Sequence, residues 1–205
     1  MAKIVLLSIV AYLLGSIPNG YIICKKFYHI DITKYGSKNI GMTNVQRVVG
    51  NKAAIAVFLL DFAKGFLAVI IGKYFLNSPS LAITLGIMAI IGHDYSLFMP
   101  HFKGGKGVAT AYGIIGAISI YTGLLSGGVF FLIILLTRYV SLASIVSVCF
   151  FPIFLILFHA DKTIILSSLI IVLLVKISHR ENIKRLLKGN ERKIGEKIKF
   201  DKDKN

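Results

Sequence analysis

Two stretches of this chain carry residue types suited to chemistry on phosphorylated compounds. One is Phe102-Lys103-Gly104-Gly105-Lys106-Gly107-Val108-Ala109-Thr110, three glycines and two lysines opening into a long apolar run. Glycine tolerates positive φ, so successive N–H groups can converge on one small anion. If a helix begins at Val108, its unpaired N–H groups and dipole face that same anion. Lys103 and Lys106 add charge. The stretch reads as an oxyanion or phosphate cradle at the mouth of a membrane helix, the alternative being a flexible basic loop beside lipid headgroups. Two common phosphate motifs are excluded. GxxxxGK[ST] fails because Pro100 stands where its first Gly belongs and Gly107 follows Lys106; GxGxxG fails at Thr110 and has no strand before it.

The second stretch runs from Tyr35 to Gly50 and contains Ser37, Asn39, Gly41, Thr43, Asn44 and Arg47. Small polar residues beside glycines suit tight turns, which is one reading. The other is a site for a small hydroxylated phosphate, with amides and hydroxyls bonding a polyol and the planar fork of Arg47 clamping the phosphate.

Further polar residues stand out against an apolar background. Asp61 and Lys64 are i,i+3 and share a helix face, either as a structural ion pair or as a substrate contact. His93 reads as a hydrogen-bonded structural residue; Asp94 beside it has no companion at metal-ligand spacing. Ser141 and Ser144 follow Arg138, and Ser141 reads as a helix cap. On a helix, His179 and Asn182 share one face while Ile183, Leu186 and Leu187 form an apolar strip, the pattern of an interfacial helix stopped by Gly189. No His is followed by Asp five residues on, and GxSxG is absent, so neither an HxxxxD acyltransferase nor a serine hydrolase is supported.

The elements that must position these groups are membrane helices. The 205 residues are 56% hydrophobic with a mean hydropathy of +0.77, and the apolar residues lie in long charge-free runs. That predicts an all-α polytopic membrane bundle. The net charge of +15 flanks hydrophobic runs instead of striping a soluble face, so nucleic acid is not an expected partner. Cys24 and Cys149 lie in apolar segments and read as small core residues, not as ligands or a disulfide.

Spans are predicted over Ile4–Cys24, Ala53–Phe75, Leu81–Met99, Val140–His159 and Thr163–Val175. Ile4–Cys24 is followed by Lys25-Lys26 with no small-residue cleavage site, so it reads as a retained first span. Val108–Thr137 is charge-free, too long for one crossing and short for two. The positive-inside rule favours two, with a tight hairpin near Tyr121–Gly128, because a single crossing would strand Arg138 and the basic C-terminal segment outside. The expected topology is thus seven spans, N-terminus outside and C-terminus cytosolic, with 20 of the 24 basic residues on the cytosolic face. Residues 1–199 form one domain in this reading, and 200–205 a charged disordered tail.

The residues also carry a family resemblance. Gly36-Ser37-x-Asn39-x-Gly41-x-Thr43-Asn44-x-x-Arg47-x-x-Gly50 resembles the first motif of the bacterial acyl-phosphate:glycerol-3-phosphate acyltransferases, the PlsY family. Asp61-x-x-Lys64-Gly65, Gly92-His93, Phe102–Thr110, Arg138–Ser144 and His179-Arg180-Glu181-Asn182-Ile183-x-Arg185-Leu186-Leu187-x-Gly189-x-Glu191 match in family order. Lys38 and Met42 stand where the pattern has Gly and Ala. The resemblance implies transfer of a fatty acyl group from acyl phosphate to the sn-1 hydroxyl of glycerol 3-phosphate, giving lysophosphatidic acid and phosphate in phospholipid biosynthesis. It implies a catalytic set of Ser37, Lys106, His179 and Asn182. Asn39, Gly41, Thr43, Asn44, Arg47, Lys103, Gly104, Gly105, Ser144 and Glu191 would bind substrate, the amides of Gly104 and Gly105 holding the acyl-phosphate head and the developing oxyanion. His179 would accept the attacking proton or orient a substrate. No cofactor or metal is implied. The partners the resemblance implies are glycerol 3-phosphate, acyl phosphate and membrane lipids; the sequence leaves the oligomeric state open, a monomer being compatible, and the site would face the cytosol at a bacterial plasma membrane. The rival class is a transporter or flippase for phosphorylated metabolites, against which stands the gathering of polar motifs on one face. A CDP-alcohol phosphotransferase would need an acidic metal cluster, and the acids before the C-terminal segment are dispersed.

Overall fold

Apolar periodicity and sparse breakers make most of the described chain helical. The computed structural model describes residues 1–196, so the domain limit at 199 and the tail 200–205 lie outside the described residues. Among the described residues the helices are α1 (Ala2–Ser16), α2 (Asn19–Tyr28), α3 (Met42–Val48), α4 (Asn51–Leu76), α5 (Pro79–Asp94), α6 (Val108–Ile118), α7 (Ile120–Thr137), α8 (Val140–Leu157), α9 (Lys162–Ser178) and α10 (Arg180–Leu187).

Two expectations need correction, the continuity of the first span and the place of the hairpin. The first span is broken, not continuous: Pro18 cannot donate and its ring opposes a helical predecessor, so α1 ends before Ile17. The carbonyl this leaves on Ile17 accepts from Lys64 Nζ at 3.3 Å, inside α4. The hairpin falls at Ser119, earlier than Tyr121–Gly128. Ser119 is extended (φ −148°, ψ 103°) and its Oγ accepts from the N–H of Thr122 at 3.3 Å, capping α7. Gly123 lies within α7 against Gly116, with room for close approach of the two arms but no part in the turn. Among the described residues, four of the seven expected spans are long and apolar enough to cross: Ala2–Tyr28 taken across its break, Asn51–Leu76, Ile120–Thr137 and Val140–Leu157. α9 and α10 make a fifth only if counted together across a 63° bend, and α5 and α6 are shorter. At 1.5 Å per residue α6 is roughly 17 Å long, well under a ~30 Å hydrocarbon layer.

Packing gathers α5 at the centre. Ile83 and Ile90 of α5, Ile114 and Ile115 of α6, Phe151 and Leu155 of α8, and Ile171 of α9 form the largest buried cluster. Close helix crossings are made by small residues, as lipid-embedded bundles require. A Cβ on Gly65 of α4 would lie 2.1 Å from the Thr110 carbonyl oxygen of α6, and one on Gly113 of α6 2.0 Å from that of Phe62. α7 turns Phe131, Leu132, Leu135 and Leu136 outward, a lipid-facing surface. The α5 C-terminus, the α6 N-terminus and the end of α9 thereby meet at one end of the bundle.

Candidate active site

The glycine stretch is held down on the end of α5. The N–H of Gly104 donates to the Asp94 carbonyl at 3.1 Å, and that of Gly105 to the His93 carbonyl at 2.9 Å. A Cβ on Gly104 would lie 1.9 Å from the His93 carbonyl oxygen, and one on Gly105 1.9 Å from His93 Nε2. These glycines are therefore required by close approach to α5, and the expected cradle of their two amides is already engaged. Free donors appear a few residues later. Gly107 sits at φ 68°, ψ −1° and starts α6, whose first bond runs from Ala111 N–H to the Gly107 carbonyl at 2.7 Å. The N–H groups of Val108, Ala109 and Thr110 have no acceptor among the described residues, as a helix start dictates.

Lys106 is half-buried and its Nζ donates to Asn182 Oδ1. Burial, then the neighbouring positive charges of Arg185 and Arg47, push its ammonium down to about 8, against the pull of Glu191. Lys103, by contrast, is exposed and lies on the rim of an open cavity of about 470 Å³ that it shares with Ser37, Asn39, Asp94 and Gly104.

In the first loop both asparagines are held by hydrogen bonds within the protein. Asn44 is buried; its Oδ1 accepts from the Ser37 N–H (2.8 Å) and its Nδ2 donates to the carbonyls of Tyr35 (3.1 Å) and Asn39 (2.9 Å). Both Nδ2 hydrogens are thus engaged within the loop, leaving one lone pair of Oδ1 for the expected contact with a polyol. Asn39 Oδ1 takes the Gly41 N–H at 2.8 Å, and its Nδ2 reaches the Gly104 carbonyl at 3.2 Å, tying this loop to the glycine stretch. The hydroxyls of Ser37 and Thr43 make no hydrogen bond among the described residues, Ser37 being exposed. Lys38 adopts φ 58° where the family pattern has glycine, and Met42 opens α3 with its side chain outward. Arg47 Nη2 donates to the Arg192 carbonyl at 3.3 Å, while its Nε is buried with no partner.

The C-terminal motif supplies the opposite wall. His179 is 3% exposed at the break between α9 and α10, with Nδ1 2.8 Å from the Val175 carbonyl. A carbonyl only accepts, so Nδ1 carries the proton and Nε2 keeps its lone pair. Asn182 Nδ2 donates to Glu191 Oε1 (2.7 Å), which also accepts from Ser141 Oγ (2.9 Å); Arg185 Nε donates to Oε2 (2.7 Å). Burial alone would raise the Glu191 carboxyl, but the bonds from Asn182, Arg185 and Ser141 outweigh it and hold the group below its usual value. Ser141 is thus no cap but an anchor for Glu191. Ser144, expected to touch substrate, spends its hydroxyl on the Val140 carbonyl at 2.8 Å within α8. The following segment docks reciprocally on the α7–α8 corner, Ile194 N–H to the Arg138 carbonyl (2.8 Å) and Arg138 Nη2 to the Ile194 carbonyl (3.2 Å).

Beneath the glycine stretch lies a charged cluster inside the bundle. Lys64 Nζ is 3.0 Å from Asp61 Oδ1, which also accepts from Asn19 Nδ2 at 2.9 Å. His93 Nδ1 is buried without a hydrogen-bond partner, 3.7 Å from the same oxygen. Asp61 and Lys64 are each at most 4% exposed and bond each other, Asn19 of α2 and the Ile17 carbonyl at the break between α1 and α2, an arrangement that fits the structural pair. Sequence reasoning gave Arg185, Asp94 and Ser178 no place in the site; the latter two form a hydrogen bond, Ser178 Oγ donating to Asp94 Oδ2. No local pattern in the sequence signals that contact.

An apolar helical bundle with one cation-rich polar end defines an integral membrane protein acting on anionic substrates. Comparison with known proteins makes this specific. The family described as "Glycerol-3-phosphate acyltransferase" matches residues 5–189. The glycerol-3-phosphate acyltransferase of Thermoanaerobacter sp. (strain X514) is 45% identical over 196 residues, covering 96% of this chain and 98% of that one. That of Prochlorococcus marinus (strain MIT 9215) is 41% identical, covering 94% and 98%. Two crystal structures of PlsY, an integral membrane glycerol 3-phosphate acyltransferase, share 42% identity with this chain. The glycerol 3-phosphate form gives a TM-score of 0.88 over 94% of this chain and 96% of that one; the lysophosphatidic acid form gives 0.86 over 95% and 96%. The chain belongs to the glycerol-3-phosphate acyltransferase family, and it is a membrane acyltransferase.

Proposed function

We propose that the acyl donor is acyl phosphate and the acceptor the sn-1 hydroxyl of glycerol 3-phosphate. One observation carries the reading: Lys106 bonds Asn182, Asn182 and Arg185 both bond Glu191, and Arg47 reaches the neighbouring Arg192 carbonyl with its Nε left buried and unpartnered, so three cations line one polar end of the bundle around the Glu191 carboxylate. Cations held together at partial burial are costly unless an anion joins them, and two phosphorylated substrates would supply that anion. The likeness to PlsY in forms with glycerol 3-phosphate and lysophosphatidic acid supports the same acceptor and product.

In this proposal glycerol 3-phosphate is bonded by the free hydroxyls of Ser37 and Thr43, and its phosphate takes the unpartnered Nε of Arg47. Asn39, Gly41 and Asn44 shape that loop. Lys106 and the open N–H groups of α6 hold the acyl-phosphate head and the carbonyl oxygen as it gains charge. Gly104 and Gly105 fix the path of the chain to Lys106, with Lys103 a peripheral charge. Asn182 and Glu191 hold Lys106 and Arg185 in register, and Ser144 acts through α8. The acceptor oxygen attacks the acyl carbon, the bond from that carbon to the phosphate oxygen breaks, and phosphate leaves. The hydroxyl proton passes to His179 Nε2 or to a substrate phosphate dianion. Since acyl phosphate is already activated, holding two anions together supplies much of the acceleration.

The topology belongs to the same proposal: seven passes, short α5 and α6 among them, the N-terminus outside, and the site on the cytosolic face of a bacterial plasma membrane. Phosphate release by purified protein tests the reaction. Release from acyl phosphate that requires glycerol 3-phosphate and yields lysophosphatidic acid is expected; none, or release independent of glycerol 3-phosphate, rejects the donor.

A further inference from the structure

Asp94 occupies a junction that none of the site motifs accounts for. Its backbone carbonyl takes the Gly104 N–H at 3.1 Å, at the start of the segment that carries Lys106. Its carboxylate takes the Ser178 hydroxyl through Oδ2, on the residue just before His179. Its other oxygen, Oδ1, is buried with no hydrogen-bond partner and lies 3.1 Å from where a Cβ on Gly107 would stand. One residue at the end of α5 thus touches the glycine stretch, the first residue before α6, and the last residue of α9. Asp94 is 8% exposed, and keeping a carboxylate there is expensive unless the arrangement has a use.

The Ser178 bond falls where backbone direction changes. α9 ends at Ser178, His179 is non-helical at φ −98°, ψ 6°, and α10 departs at 63°. The imidazole is fixed on one side by its Nδ1–H to Val175. Fixing the preceding residue from the other side sets where Nε2 points relative to Lys106.

We infer that Asp94 is a positioning residue for acyl transfer: through Ser178 it orients His179, and through Gly104 it registers that imidazole with Lys106. This rests on the proposed part of His179 in the reaction, and the experiment separates the two. It is a double-mutant cycle on full-length protein in membranes, with kcat, KM for glycerol 3-phosphate and thermal midpoint read for D94A, S178A, D94N, H179A and D94A/H179A. D94A and S178A are each expected to lower kcat about tenfold with KM within about twofold, as a small misplacement of a catalytic group does. D94N, whose amide oxygen still accepts from Ser178, should stay within about threefold of wild type. In the H179A background, D94A should add less than about twofold, because the group it orients is gone.

Wild-type kcat in D94A or S178A overturns the inference, as does an undiminished D94A effect in H179A. A D94N as impaired as D94A, with S178A intact, also overturns it, since charge and not the Ser178 bond would then matter. Wild-type activity of H179A instead rejects the underlying role of His179. Should D94A fail to fold, S178A and D94N carry the same decision.

Discussion

Lys106 donates a hydrogen bond to Asn182 across 76 residues of sequence. That contact joins the glycine stretch to the C-terminal motif, and Glu191 extends it through Asn182 to Ser141 and Arg185. The site is a chain of such contacts between segments that share no local structure.

The Lys106 ammonium stands near 8, which fixes a direction for pH dependence. A lowered value means the charged form is complete below that pH and is lost above it. We therefore expect kcat/KM to decline on the alkaline side with a midpoint of about 8, since this quantity reports the free enzyme. K106R should carry its limb far higher because guanidinium stays charged, and K106A should lower turnover by about one to two orders of magnitude. A K106A enzyme turning over at the wild-type rate removes the lysine from the site.

Gly104 and Gly105 make a paired prediction because the obstacles to a side chain differ. At Gly104 a Cβ meets the His93 backbone carbonyl, whereas at Gly105 it meets the tip of the His93 ring. Both G104A and G105A should lower activity, about 10- to 100-fold, by displacing Lys106. Adding H93A should restore thermal stability to G105A and leave G104A unrestored. Equal rescue of both, read as thermal midpoints, would show that the clash is not what matters.

Glu191 accepts from three side chains, so its loss strands Arg185 and Asn182 together. E191A should cost about 2–3 kcal/mol, lowering the midpoint by about 5–10 °C. The sign with pH follows from a carboxyl held low. The increment over E191A is fully present above the unfolded value near 4.3 and disappears as pH falls through the lower folded value. A gap between wild type and E191A that persists at the acid end contradicts this.

Lys38 sits at φ 58°, in the left-handed region that glycine occupies without a Cβ penalty. K38G should stabilise the protein by about 0.5–1 kcal/mol, net of the entropy glycine adds to the unfolded chain. The side chain is exposed, so activity should be little changed. A fall in the thermal midpoint would mean the Lys38 side chain has a contact of its own.

Helical class, membrane residence and the approximate extent of most spans follow from sequence, because a 20-residue charge-free run has few other stable fates. The residues gathered at the polar end were also legible, since their types announce phosphate chemistry and their motifs occur in family order. Local packing could not be read there. Whether Gly104 and Gly105 present amides to an anion or to α5 depends on how closely two backbones approach. Whether Asn44 binds a polyol or its own loop depends on which acceptors lie within about 3 Å. The hairpin at Ser119 was missed because a capping serine in an apolar run is a weak signal beside several glycines. The contact between Asp94 and Ser178 had no local signal at all. Sequence determined which groups this enzyme possesses, because solvation and charge act on residue type alone. Only tertiary structure decided which donors remain free, because hydrogen bonds are claimed by whatever the fold brings nearest.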